Sequence, residues 1–218
     1  MTIKEQEKMI FERWSKSRPG FVADGIVDEE NYLASYPKLM FVLKEVNDPS
    51  GGNWDLRDFL RDGARKPSWN NIARWIKGIR NLPQDMEWKL IEGVSEQDRS
   101  EMLKSICALN LKKSPGGYIT DNDSLNKVAT EDQEYINQQF SLYNPDLIIC
   151  CGSSVSHLFN SLILFQYKPE WKTTRRGIWY CEYEQKKYVI AYSHPEARVA
   201  DSLLFYGIVD AVREIYFH

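Results

Sequence analysis

The chain has 218 residues, 43% hydrophobic and 27% charged, a balance that suits one globular domain with a real core and excludes a disordered or fibrous chain. Its 28 Lys and Arg against 31 Asp and Glu leave a formal net charge of −3, so any nucleic-acid contact has to rest on a local basic patch. Four cysteines with no Cys-x-x-Cys pair argue against a zinc site and for buried, reduced thiols in a cytoplasmic setting.

The first residues, MTIKEQEKMIFERW, are charged and amphipathic, unlike a secretory leader. They predict a helix over 2–17, stopped by Pro19-Gly20. No run approaches the length of a membrane span, so no membrane partner is expected. KLMFVLKEV (38–46) is apolar almost throughout, as a strand covered on both faces is, and it ends in the dense turn signal NDPSGG. Helical patterns follow in WDLRDFLRDG, in SWNNIARWIKGI with Ser68 as N-cap, and over 95–104 with Ser95 and Asp98 at its start. SICALNL (105–111) predicts a second buried strand, leading into the loop KKSPGGYITDND. A helix capped by Thr130 is expected over about 130–143, stopping at Asn144-Pro145. DLIICCG (146–152) predicts a third strand, passing through Gly152 and two serines into the helix SVSHLFNSLIL. GIWYCEY, the turn EQKK and KYVIAYS follow, and a helix over 200–216 comes last.

Long apolar strands alternating with helices predict a three-layer α/β/α sandwich with a mostly parallel central sheet. The expected organisation is a single domain over 1–218 with an N-terminal helical extension to about residue 36. Ligands of such sheets sit outside the carboxyl ends of the strands. Those ends read EVNDPSGG, NLKKSPGG, CGSS and SHPEAR, and together they hold most of the polar residues of interest.

This set of strand ends resembles the uracil-DNA glycosylase superfamily over about residues 38–216. VNDPS (46–50) looks like that superfamily's Gly-Gln-Asp-Pro-Tyr motif, with Asn47 and Asp48 on its Gln and Asp. Glu45 takes the acidic role if the turn is aligned one step differently. ALNLKKSPGG is similar to the Asn-x-x-Lys-x-x-Pro-Pro stretch and supplies Asn110, while LYNPDLIICCG and YSHPEAR match the last two strand ends and supply His194. The first motif lacks the usual glycines, and Glu196 stands where the family has Ser after His-Pro. The cysteines of the iron–sulfur members are absent from their places, so neither metal nor other cofactor is expected.

The resemblance implies excision of a uracil or other damaged base from single- or double-stranded DNA, on a flipped nucleotide. His194 would donate to a carbonyl of the leaving base, and Asp48 or Glu45 would favour positive charge on the sugar. Asn110, with Asn47 beside it, would read the base edge, and Trp54 would stack on its face. Lys112, Lys113, Ser114 and Arg198 would hold DNA, with Arg175-Arg176 as a further basic pair. Each has a structural alternative: an Asp-Pro turn, a strand-end ion pair, a loop-capping Asn, a core Trp, a solvated basic pair. His157 lies on a helical face and reads as packing or surface, and His218 carries no role. The competing function is a catalytically inactive module of this fold that binds nucleic acid or a protein. A small-molecule α/β enzyme is the third; no P-loop, dinucleotide fingerprint or Gly-x-Ser-x-Gly elbow supports it.

Overall fold

A computed structural model describes residues 1–64, 67–117 and 121–217. Its first half comprises α1 (Ile3–Trp14), β1 (Gly25–Ile26), α2 (Glu29–Ala34), β2 (Leu39–Leu43), α3 (Leu56–Arg61), α4 (Ser68–Asn81), α5 (Glu96–Lys104) and β3 (Ile106–Asn110). The second half comprises α6 (Asn122–Glu131), α7 (Gln133–Tyr143), β4 (Leu147–Cys151), α8 (Ser153–Leu162), β5 (Trp171–Thr173), β6 (Trp179–Glu184), β7 (Lys187–Tyr192) and α9 (Asp201–Phe217). Tyr118, Ile119 and Thr120 of the loop after β3, and His218, lie outside the described residues.

The seven strands form one sheet in the order β1-β3-β2-β4-β7-β6-β5. Its centre, β3-β2-β4-β7, is parallel, and its flanks β1, β6 and β5 are antiparallel. The expected mixed α/β architecture with a mostly parallel sheet is present. The period-2 alternation of strand side chains separates two apolar layers. Met40, Val42, Cys107, Leu109, Ile148 and Cys150 pack under α1, α6, α7 and α8. Leu39, Phe41, Ile106, Ala108, Leu147 and Ile149 pack under α3, α4, α5 and α9. Burying each such side chain is worth about 1.5–3 kcal/mol, which explains why runs of them become central strands. All four cysteines are buried in these layers and free. Among the described residues no helix is long and apolar enough to cross a membrane.

Several local expectations are corrected. Ser68 is the first residue of α4, not its cap; Pro67 precedes the helix and makes no side-chain cap bond. Thr130 lies inside α6 and donates its hydroxyl back to Asn126 O at 2.7 Å, so it starts no helix. The break falls instead at Asp132, whose carboxylate accepts from Arg18 at 2.7 Å. Ser95 and Asp98 do form a reciprocal capping box on α5. The segment through residue 36 is more than helical, since β1 pairs with β3 and Trp14 is fully buried.

Register and topology together define one edge. Leu43 lies level with Asn110, Val42 with Cys150, and Cys151 with Tyr192, so the four parallel strands end together. The chain leaves β2 toward β3 on one side and leaves β4 toward β7 on the other. The carboxyl ends of β2 and β4 therefore form a topological switch point, where open α/β sheets hold ligands.

Candidate functional site

The β2 end is stitched to the β3 end. Gly116 N donates to Val46 O at 2.9 Å, and Asp48 N donates to Gly116 O at 3.2 Å. Asp48 then organises the turn that follows. Its Oδ1 accepts from Ser50 N at 2.8 Å and from the Ser50 hydroxyl, and its Oδ2 accepts from Gly52 N at 2.9 Å and Trp54 Nε1 at 2.8 Å. These bonds, led by that of the Ser50 hydroxyl and then the Trp54 indole, hold the solvent-facing carboxyl at about 2. Asp48 is thus ionised throughout the physiological range, with all four of its lone-pair sites occupied. Asn47 is exposed beside it.

Three expectations change here. Trp54 is not a free stacking platform: its indole N–H is committed to Asp48 and its ring meets Phe59 edge-on at 5.9 Å. Glu45 is not an open acid, because its side chain is 3% exposed and pairs with Lys112 Nζ at 2.5 Å. The same pair occupies Lys112, while Gly116 packs against the Glu45 carboxylate where a Cβ would collide. Lys113 cannot reach a phosphate: it is fully buried, donates to Asp24 Oδ1 at 2.6 Å and Asn110 O at 2.9 Å, and lies 5.0 Å from the Trp14 ring centroid. Burial pulls its ammonium below the ordinary lysine value, and the Asp24 charge opposes that shift.

Lys113 and Asp24 instead fix Asn110. Asp24 Oδ2 accepts from Asn110 N at 2.8 Å, and Lys113 holds the Asn110 carbonyl, so the main chain is clamped on both sides. The side-chain amide of this buried residue has no hydrogen-bond partner among the described residues. The clamp extends through Gln139, which donates to Asp24 Oδ1 and to Tyr143 Oη at 2.8 Å each, and through Tyr143, which donates to Glu7 Oε1 at 2.5 Å. Glu7 also pairs with Arg57 at 2.5 Å, yet burial outweighs that pairing and raises its carboxyl to about 6. Sequence reasoning passed over Asp24, Gln139 and Glu7; Asp24, alone among apolar and small neighbours in FVADGIV, carried a signal, while Glu7 and Gln139 lie in polar runs that carried none.

On the far side of the switch point stands His194. Its Nδ1 accepts from Glu196 N at 3.1 Å, which assigns the neutral ring's proton to Nε2. Partial desolvation lowers the imidazole below its ordinary value, Lys44 adding to the shift and Glu196 opposing it. Helix α4 braces the His-Pro turn. Asn71 Nδ2 donates to Pro195 O at 2.8 Å and Asp201 Oδ1 at 2.9 Å, Arg74 donates to Asn71 Oδ1 at 2.7 Å and Asp201 Oδ2 at 2.9 Å, and the Ser68 hydroxyl reaches Glu196. Nothing in the mixed polar and apolar pattern of SWNNIARWIKGIRN marks Asn71 and Arg74 as inward-facing, so the brace was not foreseen. Arg198 is exposed beyond the turn, with no ion-pair partner among the described residues, and Ser114 is half-buried across the edge.

His194 opens onto a cleft of about 830 Å³ between α8, the end of β7 and the β5–β6 connection. Gly152, at φ 115, turns the chain from β4 into α8 at its mouth, in a conformation that favours glycine. Of the residues singled out from the sequence as site residues, His194 alone lines this cleft; Asn110 and Asp48 stand across the β2–β4 crevice. His157, read as packing or surface, lines it too. No family model matches the chain, and no curated protein matches it.

Proposed function

We propose that this protein is a base-excision glycosylase acting on DNA, hydrolysing the N-glycosidic bond of a flipped uracil or other damaged base, on a uracil-DNA glycosylase-like fold. The observation that carries the reading is the His194 geometry: Nδ1 is occupied by a backbone N–H, and a neutral ring presents Nε2–H at the carboxyl edge. A neutral donor aimed at a base carbonyl stabilises the anion that forms as the C1′–N bond breaks. The bonding pair leaves with the base, a water oxygen bonds to C1′, and the proton that water then sheds passes through solvent to the departed base anion. Asn110, held by its main chain and with its amide unpartnered among the described residues, is suited to the N3–H and O4 of uracil. Asp48 contributes as a fixed negative charge beside the developing oxocarbenium ion; a carboxyl at about 2 is too weak a base to deprotonate water.

The saturation of Asp48 favours a second reading, a catalytically inactive nucleic-acid-binding module of the same fold, since a carboxylate with four donors has no site left for a water. One assay separates the two. Labelled oligonucleotides with a single uracil, single-stranded and in U·G and U·A duplexes, are incubated with enzyme and treated with alkali. Strand scission by the wild type, lost in Asn110→Ala, supports excision. Binding without scission at high enzyme concentration supports the module.

A further inference from the structure

The cleft beside His194 is far larger than one nucleobase needs, and most of its wall is not used by the proposed reaction. We infer that it is a stacking channel for the unpaired nucleotides flanking the target, so that the protein takes single-stranded nucleic acid. This rests on the base-excision reading for its biological setting, but not for its geometry. Trp171 pairs with Cys181 across β5 and β6, and Trp179 lies two residues from Cys181. Both indoles therefore share one sheet face as diagonal neighbours, roughly 7–8 Å apart at the backbone, a spacing that admits a planar base beside or between them. Trp179 is 54% exposed, an unusual position for the largest apolar side chain. Trp171 is immobilised, donating its indole N–H to Asn160 Oδ1 at 3.0 Å.

A lining without carboxylates suits a phosphate-bearing occupant better than a cationic one. The lining contains neither Asp nor Glu, although the chain has 31 acidic residues. Its polar side chains include Ser153, Ser156 and Asn160. Arg175 and Arg176 are exposed in the turn just before Gly177, which lines the cleft. Arg176 pairs with Asp210 at 3.0 Å and Glu214 accepts from Arg175 N at 2.9 Å, so the Arg175 guanidinium is the cation of this turn left without an ion pair among the described residues. Stacked bases against indoles, with phosphates toward this basic turn, is the arrangement that binds single strands without reading their sequence.

The test uses a fluorescein-labelled thymidine decamer, which has no uracil to excise, and follows anisotropy together with quenching of intrinsic Trp fluorescence. Binding by the wild type is expected, with the Kd of Trp179→Ala about tenfold weaker, as for one lost stacked base. Trp179→Phe should retain most of the affinity. Phe217→Ala, an exposed aromatic at the end of α9, should match the wild type, and a blunt duplex of the same length should bind more weakly than the single strand. Equal affinity for wild type and Trp179→Ala, no binding of the decamer, or displacement by thymidine monophosphate as effective per mole as the unlabelled decamer would each overturn the channel. Because the probe is not cleavable, a failed uracil assay leaves this result intact, and a failed channel leaves excision open.

Discussion

The two halves of the carboxyl edge are built on opposite plans. At the ends of β2 and β3 the polar groups are numerous and almost wholly spent on each other: Glu45 on Lys112, Asp24 on Lys113, Asp48 on its own turn. At the ends of β4 and β7 the charged groups, Glu196 and the Arg74–Asp201 pair, brace the turn, and an 830 Å³ cleft is lined without Asp, Glu, Lys or Arg. Charge density and open space therefore do not coincide along this edge. The β2–β3 half supplies rigidity and orients Asn110, and the β4–β7 half supplies space and an available donor.

The comparison can be broken most forcefully at Lys113. Lys113→Ala leaves Asp24 buried and unpaired, and should destabilise the fold by about 3–5 kcal/mol in urea unfolding. The double replacement with Asp24→Ala should recover part of that loss. A change below about 1 kcal/mol would show the pair to be dispensable. At the open half the opposite pattern is expected. His194→Ala should lower kcat for uracil release by about 10²–10³-fold while stability stays within about 0.5 kcal/mol; a matching loss of stability would mean that the histidine is structural.

The clamp also predicts a pH signature. Glu7 is raised from 4.5 to about 6 in the fold, so folding takes up a proton between those values. Its stabilisation is complete below pH 4.5 and is lost as pH rises through about 6, a swing of about 2 kcal/mol that Glu7→Gln should abolish in denaturation curves taken across the window. The smallest effect is at the turn. Trp54→Phe removes one donor from Asp48, and its carboxyl should rise from about 2 toward the ordinary value in an NMR titration. Asp48 stabilises the fold above that ordinary value, and its contribution fades as pH falls through about 2. An unchanged titration would show that the indole bond is not held in solution.

The central sheet was legible because β2, β3 and β4 are buried on both faces and so appear as apolar runs, as in LIICC. The Ser95 cap was legible because its box is local. β1 was not, since two residues carry no periodicity and Gly25 is placed by its pairing with Ala108. Nor was the fate of Lys113, whose partner Asp24 lies 89 positions away. A lysine after a strand looks the same in sequence whether it faces solvent or a buried carboxylate. His194 drew notice because a His-Pro turn ends a strand there, and it does line the cleft, whereas Trp171 lies between charged residues and Trp179 in an aromatic strand, and neither pattern marks a ligand wall.

The short flanks of the sheet have a bearing on how copies of the chain meet. A sheet with exposed borders recruits strands from its neighbours, the route to fibrils and swapped dimers. Here one border is the two-residue β1 and the other is the three-residue β5, which carries Lys172 at its centre. So few unpaired amides, with a cation among them, give an approaching chain almost no ladder to extend. The parallel strands most prone to templating are enclosed on both sides, and crowding should concentrate the protein without polymerising it.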